Sequence, residues 1–279
     1  MSVHELLVNP ATRQEPPKRS RLARLPTRAW VPAKEPEGRS VTIASTLVLV
    51  VAVVAWLVAS TMTFVIPAPS QTVKILVRDL GDSGLASDFA FTAGEIVASI
   101  LIGAVAGTLT GVGMGLSSTL RAVLQSFTSA LYALPKIVLY PLLIPVLGIG
   151  ASSKIAVGAI FCVFPIMLIV AAATQSMPPV YWKLSKSLKL KPHQFLTKVI
   201  LPVTLRALVT GIRVGLSLAV LGVILAEFVA SQRGVGRQMH RYYELAQYDG
   251  LFATVLMLLF ITFLTSWALW RVEKSFDWR

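Results

Sequence analysis

The chain has 279 residues, of which 55% are hydrophobic and only 14% charged, yet its formal net charge is +13. With a mean hydropathy of +0.71, it has too little polar surface for a soluble globule of this length and is too apolar for a disordered basic protein. What remains is a basic, polytopic membrane protein whose apolar surface is solvated by the bilayer. A single cysteine, Cys162, excludes an intrachain disulfide framework.

Residues 1–40 carry eight bases and four acids among six prolines. That composition predicts a solvated, disordered tail that sets topology and touches anionic lipid. The basic region is too long for a cleaved signal peptide. Beyond it, runs free of charge mark the spans, because a helix needs about 20 apolar residues to cross the hydrocarbon core. The first is residues 41–66. The second begins near Thr92 and ends before Arg121. The third covers roughly 127–148 and is interrupted by Lys136. The fourth is 155–173, the fifth 207–230 and the sixth 251–270. Runs of this length are helices rather than barrel strands, which gives an all-α fold of six transmembrane helices.

Lysines and arginines in the loops orient the bundle. The tail, the acid-free stretch with Lys183, Lys186, Lys189, Lys191 and Lys198, and the C-terminal Arg271, Lys274 and Arg279 all fall on one side. The positive-inside rule makes that side the cytoplasm and places both termini there. Arg233, Arg237 and Arg241 lie on the predicted outer side and are outvoted.

Within the second span, Gly103, Gly107, Gly111 and Gly115 recur every four residues and share one helix face. Such a face allows close backbone approach, either as static helix packing or as a moving or pore-lining interface. Arg206 and Arg213 lie two turns apart near the inner end of the fifth span, where they snorkel or pair internally. Glu227 lies near the outer end of that span, as a partner for Arg233 or Arg237 or as part of a substrate path. Lys136 follows Pro135 and is expected to snorkel to the inner interface. No phosphate loop, zinc-type histidine spacing or nucleophile–base pair is present, so neither a catalytic nor a metal site is expected.

The stretch 177–202 reads MPPVYWKLSKSLKLKPHQFLTKVILP. Pro178 and Pro179 can start a helix, and Lys191–Pro192 marks a break. Val180, Leu184 and Leu188 form an apolar stripe among lysines, suited to a membrane surface or to a groove on a partner.

From residue 66 onward the chain resembles the permease subunits of bacterial ABC importers, nearest the branch for nitrate, taurine and alkanesulfonates. The resemblance rests on an ordered series of pieces: Pro67-Ala-Pro-Ser70, the glycine series, Ala133-Leu-Pro135, Pro141-Leu-Leu143, Gly148-Ile-Gly150, Val199-Ile-Leu-Pro202, Gly211-Ile-Arg213, Ala226-Glu227 and Gly234-Val-Gly236. It implies a type I importer permease core over 67–279. It further implies a multi-pass protein of the bacterial inner membrane that moves a small solute by alternating access. Its partners would be ATP-binding subunits, a periplasmic or lipid-anchored solute-binding protein, a second permease subunit and membrane lipids, with no nucleic acid. ATP and Mg would bind to the partner ATPase, and no cofactor to this chain. A stand-alone secondary transporter or channel is the alternative.

In that family the loop before the fifth span carries the coupling-helix pattern E-A-A-x3-G-x9-I-x-L-P, which inserts into a cleft of the ATPase. Counting back from Val199-Ile-Leu-Pro202 places the E-A-A at Lys183, Leu184 and Ser185 and the glycine at Lys189. By resemblance, Val180, Lys183, Leu184, Ser185, Lys186, Leu188 and Lys189 make the ATPase contact. A base replaces the acid and the glycine is lost. A heteromeric permease, an ATPase with matching acids, and a loop that works without the regular motif would each account for the change.

Overall fold

The structure is a computed structural model that describes residues 38–79, 81 and 83–275. Residues 1–37, on which most of the basic tail falls, lie outside the described residues. Residues 38–52 are the opening stretch of α1 (Gly38–Met62), and their described side chains are exposed. The helix starts three residues before the predicted span and ends four residues earlier, where Thr63–Pro67 turn the chain toward α2 (Pro69–Asp79).

From residue 53 onward the described chain is helical: α3 (Ser83–Leu116), α4 (Ser118–Ala133), α5 (Leu139–Leu147), α6 (Ala151–Gln175), α7 (Pro179–Ser187), α8 (Pro192–Phe195), α9 (Leu201–Val229), α10 (Val235–Glu244) and α11 (Tyr248–Ser275). Among the described residues, five helices are long and apolar enough to cross a membrane. They match the first, second, fourth, fifth and sixth predicted spans.

The third predicted span is not one helix. It is split into α4 and α5, with a single 3-10 turn (Lys136–Val138) after Pro135. Pro135 is extended (φ −64°, ψ 103°), and it biases Leu134 away from helical geometry. The second span also differs from expectation. Helix α3 begins at Ser83 rather than near Thr92. Asp88 and Glu95 mark a boundary in a charge count, but here they sit inside the helix, where the Gly234 N–H at the start of α10 bonds Asp88 and Lys154 of α6 pairs with Glu95.

Helix α6 is the centre of the bundle. Fourteen of its residues are buried, from Ser153 to Thr174, and α3 and α9 pack along its sides. Small residues set the spacing. A methyl group at Gly107 would lie 2.9 Å from the Val163 carbonyl oxygen, and one at Gly111 would lie 2.6 Å from that of Met167. At Gly103 it would collide with the Cys162 sulfur, and at Gly115 with Thr174. The four-residue glycine series of α3 therefore lies flat on α6, where backbone contact replaces the hydrophobic drive that lipid does not supply. Helix α9 approaches α6 in the same way, with Gly215 against Cys162 and Ile166 and Gly222 against Gly158 and Phe161. The central core joins Val112, Cys162, Ile166, Val170, Ile200 and Ala219.

Candidate functional site

At one end of the bundle, α6 finishes at Gln175 and the chain enters α7. Pro178 is the N-cap residue and Pro179 occupies the first turn, where a missing N–H costs nothing. Tyr181 packs on the central core, and Trp182 lies against Phe195 with ring centroids 5.0 Å apart. The opposite side of α7 is open: Val180 is 61% exposed, Leu184 49% and Leu188 61%. Lys183, Lys186 and Lys189 are exposed beside them, and Ser185 is half-buried with its hydroxyl donating to the Trp182 carbonyl.

The turn that ends α7 explains what happens without the glycine. Lys189 has φ 47°, the left-handed region. The Leu190 N–H donates to the Ser185 carbonyl (3.0 Å) and the Lys189 N–H to that of Lys186 (3.1 Å). These are the two bonds of a Schellman motif, which ordinarily has glycine at this position. The backbone keeps the turn while the side chain does not suit it. Lys189→Gly is expected to raise stability by about 1 kcal/mol, the low end of the cost of left-handed geometry for a residue with a Cβ. Thermal unfolding of the purified chain in detergent measures it, and an unchanged or lowered midpoint would contradict the assignment.

Past the turn, Lys191 precedes α8 and its N–H donates to Gln194 Oε1 (3.0 Å). A single π-helical turn (Leu196–Ile200) then runs directly into α9. The turn at 188–191 and these two short elements are all that separate the exposed helix from the span that follows.

The opposite end of the bundle holds a buried polar cluster. Lys154 Nζ lies 2.9 Å from Glu95 Oε1, and both side chains are 2% exposed. The ammonium also sits 4.9 Å from the centre of the Phe91 ring. Glu227, fully buried, accepts a hydrogen bond from Thr92 Oγ1 (2.8 Å) and another from the Gly236 N–H (2.7 Å). Thr92 in turn accepts from the Val235 N–H (2.9 Å), and Asp88 accepts from the Gly234 N–H (3.0 Å). Three consecutive N–H groups at the start of α10 thus each bond a side chain of α3 or α9. They are the donors that a helix leaves unsatisfied, and they carry the positive end of its dipole. Gly234 allows the approach, with φ 108° and no room for a Cβ beside the Glu227 carboxylate. Tyr140, fully buried, ties α5 to the end of α9 by donating to the Ala230 carbonyl (2.6 Å).

Several expectations change here. Glu227 does not pair with Arg233 or Arg237, because Gly234–Gly236 bring backbone donors closer than either guanidinium. Arg233 bonds Ser87 and lies over Phe91, and Arg237 reaches the Ser231 carbonyl. Lys136 does not sit at the inner interface. Its ammonium lies 5.7 Å from the ring centres of both Phe161 and Phe164, halfway along α6. Arg213 pairs with Glu273 (3.2 Å), which also accepts from Thr210 Oγ1 (2.6 Å). The charge pattern misses Glu273 because it lies beyond the predicted end of the sixth span. It misses Lys154 because a lysine next to an apolar run reads as a boundary. A balance of charge at equal depth, with two acids needing a base, was the signal available.

Residues 99–277 match the family described as the binding-protein-dependent transport system inner membrane component. The taurine transport system permease protein TauC of Escherichia coli (strain K12) is 27% identical over 247 residues, covering 86% of this chain and 90% of TauC. The nitrate import permease protein NrtB of Leptolyngbya laminosa is 26% identical over 155 residues, 56% of each chain. A chain of the MetNI methionine ABC transporter, in an inward-facing conformation, superposes with a TM-score of 0.61 at 19% identity. That superposition covers 69% of this chain and 95% of the other, and shares the fold of a type I permease. The chain is a permease of the binding-protein-dependent transport system inner membrane component family, and taurine, sulfonate and nitrate permeases are among its relatives.

Proposed function

We propose that this permease works in an ATP-driven importer of the bacterial inner membrane, moving a small solute by alternating access with energy from separate ATPase subunits. In this reading α4 and α5 together make the third of six crossings, and both termini face the cytoplasm. A second permease subunit completes the path. A solute-binding protein docks at the end bearing α10, and the partner ATPase holds ATP and Mg. The chain itself performs no catalysis.

The observation that carries this reading is α7. A nine-residue helix with an open apolar stripe beside three lysines needs a partner groove. Its short connection through the 188–191 turn, α8 and the π-helical turn into α9 delivers any displacement to a span packed on α6. At the other end, the bonds from α3 and α9 to α10 hold the frame against which such a movement is made.

Uptake into proteoliposomes containing the whole complex tests the proposal. Transport is expected to require ATP inside the ATPase-facing compartment, and uptake that persists without any ATPase would favour a secondary transporter. The double substitution Lys183→Glu and Lys186→Glu is expected to leave ATP hydrolysis by the ATPase running while transport falls at least tenfold. Unchanged transport would remove the lysines from the contact.

A further inference from the structure

The end of the bundle that bears α10 also holds a cavity of about 270 Å³. Its wall is built by Phe91 of α3, by Gly150, Ala151 and Lys154 at the start of α6, and by Gln232 and Arg233 in the loop between α9 and α10. Gly150, Gln232 and Arg233 are exposed, so the cavity opens among the loops that close this end of the bundle.

Two cations from distant parts of the chain meet on this wall. The Lys154 ammonium lies 4.9 Å and the Arg233 guanidinium 5.4 Å from the centre of the Phe91 ring, which holds the two within about 10 Å of each other. Acids answer only part of that charge. Glu95 takes up Lys154. Glu227 is engaged by Thr92 and the Gly236 N–H. Asp88 shares a neighbouring cavity with Arg233, but it accepts from the Gly234 N–H. The Arg233 side chain bonds the Ser87 hydroxyl (3.2 Å) and lies over Phe91, both neutral groups. Among the described residues no carboxylate forms an ion pair with it. The first turn of α6, capped by Gly150 without a side-chain oxygen, adds the positive end of a 25-residue helix.

The wall and the volume identify the ligand. A guanidinium and helix N–H groups both bond oxygens of an anion, and the guanidinium does so as a planar fork. Phe91 and Ala151 leave apolar surface for a short substituent. The volume falls just below the roughly 300–1,000 Å³ of sites for drug-sized ligands, so the occupant is small.

We propose that this cavity binds a small oxyanion, with Arg233 as its principal cationic contact and Lys154 beside it. The importer reading gives the site its role, as the place where a solute bearing a carboxylate, phosphate or sulfonate group enters the permease. The binding itself does not depend on that reading.

The test uses the full chain in detergent, dialysed to equilibrium against radiolabelled sulfate, with phosphate, acetate and chloride as competitors. Saturable binding is expected, displaced by phosphate and acetate and poorly by chloride. Arg233→Gln is expected to weaken it at least about tenfold, through loss of a charge-assisted hydrogen bond. Arg233→Lys, which keeps the charge, is expected to retain most of the binding and guards against a folding defect. Arg237→Gln, off the cavity wall, is expected to change nothing. Binding that does not saturate, equal competition by chloride, or unaltered affinity in Arg233→Gln would overturn the proposal. So would displacement of sulfate by dioleoylphosphatidylglycerol but not by phosphate or acetate, which would assign the cavity to a lipid headgroup. ATP-dependent uptake by a complex whose permease binds no sulfate would sink this inference and leave the importer reading standing. Sulfate binding without ATP-dependent uptake would do the reverse.

Discussion

Lys154→Met is expected to destabilise the chain by about 3–5 kcal/mol, the cost of removing one partner from a buried ion pair. Both side chains of the Lys154–Glu95 pair are 2% exposed. Without the ammonium, the Glu95 carboxylate remains buried with no cation beside it, close to the carboxyl of Glu227. The pair itself contributes far less than its breakage costs, because desolvating two charges offsets most of their attraction. The double substitution Glu95→Gln with Lys154→Met is therefore expected to recover most of the loss. Unfolding of both variants in detergent, followed by helical circular dichroism, gives the comparison. A Lys154→Met protein within 1 kcal/mol of the parent would mean that water reaches the pair and that the cluster does not lock this end of the bundle.

The second large effect is expected at the glycine face. In Gly111→Val the new Cβ would start 2.6 Å from the Met167 carbonyl oxygen, a backbone atom that no rotamer change can move. Overpacking of this kind typically costs about 1–3 kcal/mol. The upper end is expected here, because Gly103, Gly107 and Gly115 contact the same helix and α3 cannot retreat from α6 at one point alone. Gly94→Ala, on the same helix with nothing within 4 Å of the added methyl, serves as the control and should be neutral or mildly stabilising. Monodispersity on size-exclusion chromatography and the unfolding midpoint report the difference. Equal behaviour of the two variants would show that α3 and α6 are not in backbone contact at Gly111.

The spans were legible because the bilayer imposes a local requirement, a run of apolar residues of fixed length, and local patterns are visible in one dimension. The same holds for the α7 segment, where a proline pair, an apolar stripe and a third proline stand within a few turns of one another. The third span failed because hydropathy averages over Pro135, whereas the backbone must break there. Lys136 was read by distance from a predicted helix end, so its place over Phe161 and Phe164 was lost once α4 and α5 separated.

The site residues divide along the same line. That Gly103, Gly107, Gly111 and Gly115 share a face follows from helical geometry; that α6 is what they face does not. Glu95 and Lys154 are 59 residues apart, and Thr92 and Glu227 are 135 apart. No local periodicity encodes such pairs. Each is decided by which helices the bundle brings side by side.

The amino-acid sequence alone determined a helical membrane protein, the position of most of its spans, the segment that leaves the bundle as α7, and the family. These depend on hydrophobic length, turn chemistry and ordered motifs, all carried by residues close together in the chain. Only the tertiary structure decided that Lys154 is buried, that Glu227 caps α10 rather than pairing with an arginine, that Lys189 holds a glycine's conformation, and that Lys154 and Arg233 meet at one cavity. Those outcomes depend on close contacts between distant segments. There an unpaired charge or an extra methyl costs several kcal/mol, enough to select one arrangement of helices over another that fits the bilayer equally well.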